Sequence, residues 1–215
     1  QQHCGERMPR MWDGHDFNLR ATHQTLRCLP PRMGVSMVKI TVSGHPGSGT
    51  STLVNGLMDH FGWTSLNGGE VFRQEAKRRG LSLAEFGELC KSDLDVDRQL
   101  DALLQERMSL NDAEDIVESR LSGWWAYKLD LDCVRLWLEV DDQERANRVV
   151  AREQCTLEEA LHANEMRTAV DAERFMELYG LLPEQREPYT IVLDATTLSR
   201  EQVLSAVIQK LEASL

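Results

Sequence analysis

Short apolar runs alternate with amphipathic helical segments, and the first run leads straight into a glycine-rich turn. Together these predict an α/β fold with a parallel sheet covered by helices on both faces. Length agrees, since 215 residues suit one domain of ordinary size with a small mobile insert. Composition agrees too: 41% hydrophobic and 27% charged residues are the proportions of a folded globular chain.

Residues 1–36 stand apart from the rest. They hold His3, Cys4, Pro9, His15, His23, Cys28, Pro30 and Pro31 with no sustained apolar period. They read as a disordered N-terminal extension or a non-native leader ahead of Met33 and Met37. A Cys/His metal site there lacks the paired spacing such sites use. The domain proper is expected over 37–215.

Residues 37–42 (MVKITV) are β-branched and apolar like a buried strand, and residues 52–61 carry apolar positions at helical spacing. A short strand at 63–66 ends at Asn67-Gly68-Gly69, and a helix over 70–79 stops at Gly80. Ser82 and Glu85 are spaced as a capping box that opens another helix. A charged amphipathic helix follows over about 96–108, then a strand at 115–118 and a stronger one at 133–140. Asp141 and Asp142 suit the N-terminus of the next helix, over 144–153. A long helix over about 157–178, a strand at 189–193 and a helix at 199–211 complete the chain.

The net charge of −11 argues against a broad nucleic-acid or anionic-membrane surface. No stretch approaches the ~18–20 apolar residues of a membrane-spanning helix. Five scattered cysteines without a C-x-x-C pair suggest free thiols in a reducing cytoplasm. Cys133, on an apolar strand pattern, reads as a core residue. The expectation is a cytoplasmic monomer that binds neither nucleic acid nor membrane.

The glycine turn carries the chemistry. Residues 44–52 read GHPGSGTST, which matches the phosphate-loop pattern G-x-x-x-x-G-K-[ST] at Gly44, Gly49 and Ser51. Strand, glycine loop and helix is the context that gives the match meaning. Backbone N–H groups must reach phosphate oxygens with no Cβ in the way, and the helix N-terminus adds partial positive charge. The mobile charge of the lysine is missing, because Thr50 takes its place.

Arginines are spaced to supply that charge from elsewhere. Arg73 follows the Asn67-Gly68-Gly69 turn, and Arg120 follows the strand at 115–118, where an α/β sheet opens its ligand crevice. Arg148 and Arg152 share one helix face. Arg167, Asp171 and Arg174 also share a face, with the carboxylate between two guanidiniums. Phosphoryl transfer uses such groups to clasp charge spread over equatorial oxygens. Asp97 and Arg98 are a charged pair suited to reading a base edge, or to a plain helix-face ion pair. Glu118 is placed either to coordinate a metal ion through water or to hold Arg120.

From about Met37 onward, roughly five-sixths of the chain resembles the archaeal-type cytidylate kinases, a branch of the P-loop nucleoside monophosphate kinases. Blocks carrying the likeness are GHPGSGTST at 44–52, LNGGEVFR at 66–73, LSLAEFG at 81–87 and VDRQLD at 96–101. They continue with ESRLSGW at 118–124, AREQCTLEEAL at 151–161, ERFMELYG at 173–180 and DATTLS at 194–199.

The resemblance implies a three-layer α/β fold with a five-stranded parallel sheet, a helical NMP-binding segment at about 67–108 and a helical lid at about 152–180. It implies ATP and CMP or dCMP as substrates and Mg²⁺ as cofactor. Gly44, His45, Pro46, Gly47, Ser48, Gly49, Thr50, Ser51 and Thr52 would cradle the donor phosphates, with Ser51 as the Mg²⁺ ligand. Arg148, Arg152 and Thr197 fall on the donor side, Thr196 and Thr197 in a segment that resembles the family's adenine-contact loop. Gly69, Arg73, Asp97 and Arg120 fall on the acceptor side. Arg120, Arg167, Asp171 and Arg174 make the catalytic set, the last three similar to the family's lid signature. Alternatives are another NMP kinase, acting on UMP, AMP or dTMP, and a catalytically silent nucleotide-binding protein. Two positions depart from the family pattern: Asn67, where serine or alanine is usual, and Ser119, where a glycine is common and backbone approach is expected to change. Similar G-S-G-T-[ST] loops occur within the archaeal-type branch, so Thr50 fits that lineage.

Overall fold

The structure is a computed structural model that describes residues 38–213. The expected extension at 1–36, and the metal site considered there, lie outside the described residues. A five-stranded, fully parallel sheet runs in the order β2-β3-β1-β4-β5. Its strands are β1 (Ile40–Gly44), β2 (Ser65–Asn67), β3 (Ile116–Glu118), β4 (Val134–Glu139) and β5 (Ile191–Asp194). β1 is buried along its whole length, as its apolar run predicts. Because the chain crosses to β2 and β3 on one side and to β4 and β5 on the other, the carboxyl end of β1 is the switch point where an open α/β sheet leaves a ligand crevice.

The helices start where their capping residues stand. α1 (Thr50–Phe61) begins after Gly49 and stops at Gly62, both left-handed. α2 (Gly68–Arg78) is capped by Asn67, whose side chain accepts from the Gly69 N–H. Capping boxes open α3 (Leu83–Ser92) at Ser82/Glu85, α7 (Leu157–Tyr179) at Thr156/Glu159 and α8 (Arg200–Glu212) at Ser199/Gln202. Asp93 and Asp141 cap α4 (Leu94–Met108) and α6 (Asp142–Glu153).

Helix α5 (Ser122–Lys128) was not anticipated from the sequence. Its SGWWAYK segment has no polar face, because Ser122 through Ala126 are all buried. Ser122 Oγ meets Ser43 Oγ at 3.0 Å, which fastens the start of α5 to β1.

Two apolar clusters surround the sheet. One joins Ile40, Leu57, Leu136, Val207 and Leu211 under α1 and α8, and the other joins Val117, Leu121, Trp124, Trp125 and Phe175 around α5. Cys133 packs against the second, and burial pushes its thiol up to about 11, so it is no nucleophile at neutral pH. Two smaller clusters stand apart from the sheet: Ala76, Phe86, Cys90 and Val96 between α2, α3 and α4, and Ala146, Val149 and Ala160 between α6 and α7. Each excursion from the sheet therefore has a core of its own and can move as a unit.

The tightest backbone approach is at Gly123, where an added Cβ would lie 2.3 Å from Cε1 of Tyr189. That ring cannot retreat, because it packs on Trp137 and its hydroxyl donates to the Pro183 carbonyl at 2.5 Å. Gly123→Ala is expected to destabilise the chain by about 1–3 kcal/mol. Urea unfolding reads this, and an unchanged midpoint would contradict the packing described.

Candidate active site

The glycine loop leaves β1 at Gly44 and enters α1 at Thr50. Gly47 and Gly49 have φ of 85° and 91°, conformations that L side chains rarely adopt. A Cβ on Gly47 would also stand 2.8 Å from the Arg145 carbonyl. α6 holds the loop by its carbonyls. Arg145 Nη1 donates to Pro46 O at 3.0 Å, while Arg148 donates to Ser48 O at 2.8 Å and to Ala195 O at 2.6 Å. These bonds fix the loop, and the first-turn N–H groups of α1 are the ones a helix leaves without internal partners. Arg148 lines the cleft, yet Glu144 takes its Nε and the two carbonyls take its other nitrogens, so it acts as a bolt under the loop. Arg145, 3% exposed, was missed in the sequence, where nothing marks it as different from any helix arginine.

Next to the loop, β3 ends in Glu118. Ser51 Oγ donates to Glu118 Oε1 at 2.7 Å, and Asn67 Nδ2 donates to Oε2 at 2.6 Å. The carboxylate thus joins the first turn of α1 to the cap of α2. Asn67 has two uses in the fold, as helix cap and as Glu118 donor. Ser119 is accommodated by its neighbour: a Cβ on Gly68 would fall 2.9 Å from the Ser119 Cβ, so the side chain that one position gained is matched by one the other lacks.

Arg120 then enters a chain of alternating charges. Its Nε lies 3.1 Å from Asp171 Oδ2, and its Nη1 donates to Gly44 O at 3.2 Å. Arg174 Nη2 reaches Asp171 Oδ1 at 3.1 Å, and its Nη1 lies 3.5 Å from Asp97 Oδ1. Burial pulls the Arg120 guanidinium below its usual range, an effect that Asp171 opposes. Burial likewise raises Asp97, opposed by Arg174. Asp171 therefore bridges Arg120 and Arg174, whereas spacing alone placed it between Arg167 and Arg174. The reason is topological: β3 delivers Arg120 to Asp171 across the cleft, and Arg167 remains exposed one turn earlier on α7.

One cleft of about 1520 Å³ gathers most of the expected residues. Gly44 through Thr52, Gly69, Asp97, Arg120, Arg148, Arg152, Arg167, Asp171 and Arg174 all line it. Arg73 and Thr197 are not among its lining residues. Arg73 is about half exposed and paired with Glu70. Next to Thr197, Leu198 to Glu201 line the cleft, while Thr196 Oγ1 accepts from the Asp141 N–H. Arg152 is exposed and paired with Glu153. Arg98 pairs with Asp95 rather than with Asp97, and it is not among the cleft's lining residues.

A glycine loop at a switch point, faced by a half-buried arginine–carboxylate chain, defines a P-loop kinase. Residues 43–160 match the family model described as an AAA domain. A cytidylate kinase of Methanospirillum hungatei is 38% identical over 82% of this chain and 99% of its own length. One of Pyrococcus abyssi is 35% identical over 78% of this chain and 90% of its own. Among solved structures, a shikimate kinase of Bacteroides thetaiotaomicron superposes with a TM-score of 0.51 at 14% identity, over 82% of this chain and 97% of that one. The last likeness is one of fold alone. The chain belongs to the archaeal-type cytidylate kinases, with the α/β fold of nucleoside monophosphate kinases.

One lining carboxylate, Asp101, was not singled out in the sequence. Burial, opposed by the hydrogen bond from Tyr179, pushes it up to about 6. An unfolded aspartate titrates near ~3.9. Between those values the folded chain holds a proton that the unfolded chain has lost, so this group's contribution to stability falls as pH rises through the interval. Relative to the parent, Asp101→Asn is therefore expected to gain stability between pH ~4 and ~7. Urea unfolding at the two pH values checks the sign, and a constant difference would contradict it.

Proposed function

We propose that the chain transfers the γ-phosphoryl group of ATP to CMP or dCMP, giving CDP or dCDP and ADP, as a cytoplasmic monomer. The observation that carries this reading is the shared cleft. Its volume of about 1520 Å³ exceeds the ~300–1,000 Å³ of a single-ligand pocket, and one chain supplies both its phosphate loop and its arginine wall. Donor phosphates lie on 44–52 and the acceptor phosphate near Arg120. The segments at about 67–108 and 152–180 close over the two substrates, each moving on its own small core.

An acceptor phosphate is already ionised at neutral pH, so no strong base is required. Catalysis then consists of alignment and charge neutralisation. Thr50 offers no charge. Arg120, positioned by Asp171 and the Gly44 carbonyl, and Arg174, positioned by Asp171 and Asp97, supply it from the far wall. Arg167 adds a mobile guanidinium from the lid. Closure excludes water and limits idle ATP hydrolysis.

The Ser51 hydroxyl and the Glu118 carboxylate, 2.7 Å apart beside the loop, are hard oxygen donors of the kind Mg²⁺ prefers. Ser51 would hold it directly and Glu118 through water, and bound Mg²⁺ supplies charge to the phosphate oxygens.

CMP-dependent ADP formation, measured across CMP, dCMP, UMP, AMP and dTMP, is expected to be fastest with CMP or dCMP. Binding of ATP without turnover, or preference for AMP or dTMP, would contradict the proposal. Arg167→Ala, at an exposed position, is expected to lower kcat by ~10³-fold, the scale of an arginine finger. A loss below about tenfold would contradict charge supply from the lid.

A further inference from the structure

We propose that Asp101 reads the 4-amino group of the acceptor base and so sets preference for cytosine over uracil, an inference that rests on the CMP kinase reading above. Asp97 and Asp101 are four residues apart on α4, hence on one face, and both line the cleft. Their surroundings differ. Asp97 is paired with Arg174 at 3.5 Å, in line with the phosphate-facing arginines. Asp101 stands one turn further along α4, and its partner is a neutral phenol: Tyr179 donates its hydroxyl to Oδ2 at 2.6 Å. Tyr179 is itself held, edge-on to Trp125 with ring centroids 4.9 Å apart, so the carboxylate is oriented from behind by packed aromatic rings.

Val71, Leu104 and Phe175 line the cleft and belong to the same apolar cluster as Tyr179, the partner of Asp101. An anionic carboxylate in that setting repels phosphate and excludes it from this end. Apolar side chains beside an oriented carboxylate acceptor match a planar heterocycle that presents an N–H donor at its edge. Cytosine offers its amino group at that edge, whereas uracil offers a carbonyl oxygen, which would leave two acceptors face to face. A site built around a buried hydrogen bond rejects the analogue that cannot make it by large factors. Ribose hydroxyls are donors too, and the comparison of CMP with dCMP separates them from the base.

The test is kcat/KM for CMP, UMP and dCMP with ATP at pH ~7.5, above the titration range of Asp101, in the parent and in Asp101→Asn. The amide can present either an acceptor or a donor. The CMP/UMP ratio is expected to fall at least ~10-fold, mainly through the acceptor KM, with the CMP/dCMP ratio unchanged. An unchanged CMP/UMP ratio overturns the assignment, as does an equal fall for CMP and UMP. A changed CMP/dCMP ratio with constant CMP/UMP also overturns it, because the carboxylate then reads the sugar. Should Asp101→Asn fail to fold, Tyr179→Phe carries the test, since it keeps the carboxylate and removes its orienting bond. A lower CMP/UMP ratio in that variant supports the role, and the parent's ratio overturns it. A parent with no preference for CMP over UMP defeats the CMP kinase reading itself. A selective parent with an equally selective variant defeats only the role of Asp101.

Discussion

A phosphate loop with threonine where the lysine belongs has to obtain its positive charge from outside itself, and the rest of the site is arranged around that constraint. Backbone N–H groups and a helix N-terminus offer only partial charges. On the proposed reading, full charges come from Arg120, just past β3, and from Arg174 and Arg167 on α7. Two of these are tied directly to the loop or to each other: Arg120 donates to the Gly44 carbonyl, and Asp171 bridges Arg120 and Arg174. α6 adds Arg145 and Arg148, which hold the loop's shape by engaging the Pro46 and Ser48 carbonyls.

Partly buried guanidiniums are costly unless paired, and the carboxylates of this cleft can be read in that light. Asp171 and Asp97 alternate with Arg120 and Arg174, so each charge has an opposite neighbour while the cleft is open. A bound phosphate would compete with Asp171 for the same guanidiniums, which makes the carboxylate a placeholder as well as a positioning group. Glu118 belongs to a different circuit. It bonds Ser51 and Asn67, and joins the first turn of α1 to the cap of α2.

Much of this was legible in the sequence because it depends on local chemistry. The capping box at Ser82 and Glu85, and β-branched runs such as the one in β1, mark elements through contacts within a few residues. The phosphate loop was legible for the same reason. Two kinds of feature were not. α5 is short and its first five residues are all buried, so it has no helical periodicity to read. Long-range pairings were also hidden: spacing put Asp171 on the same face as Arg167, but only the sheet topology brings Arg120 to it from fifty-one residues away. The same holds for Arg145 under Pro46 and for Asp101 against Tyr179, where the residue types are unremarkable and the partner decides the role.

If charge at the phosphate site is supplied from the lid in place of the loop, then the two sources should substitute for one another. A double-mutant cycle of Thr50→Lys and Arg167→Ala, read as kcat for CMP-dependent ADP formation, tests this directly. The account expects strong non-additivity, with Thr50→Lys recovering at least ~10-fold of the rate that Arg167→Ala removes. Independent, multiplicative effects of the two substitutions would contradict it.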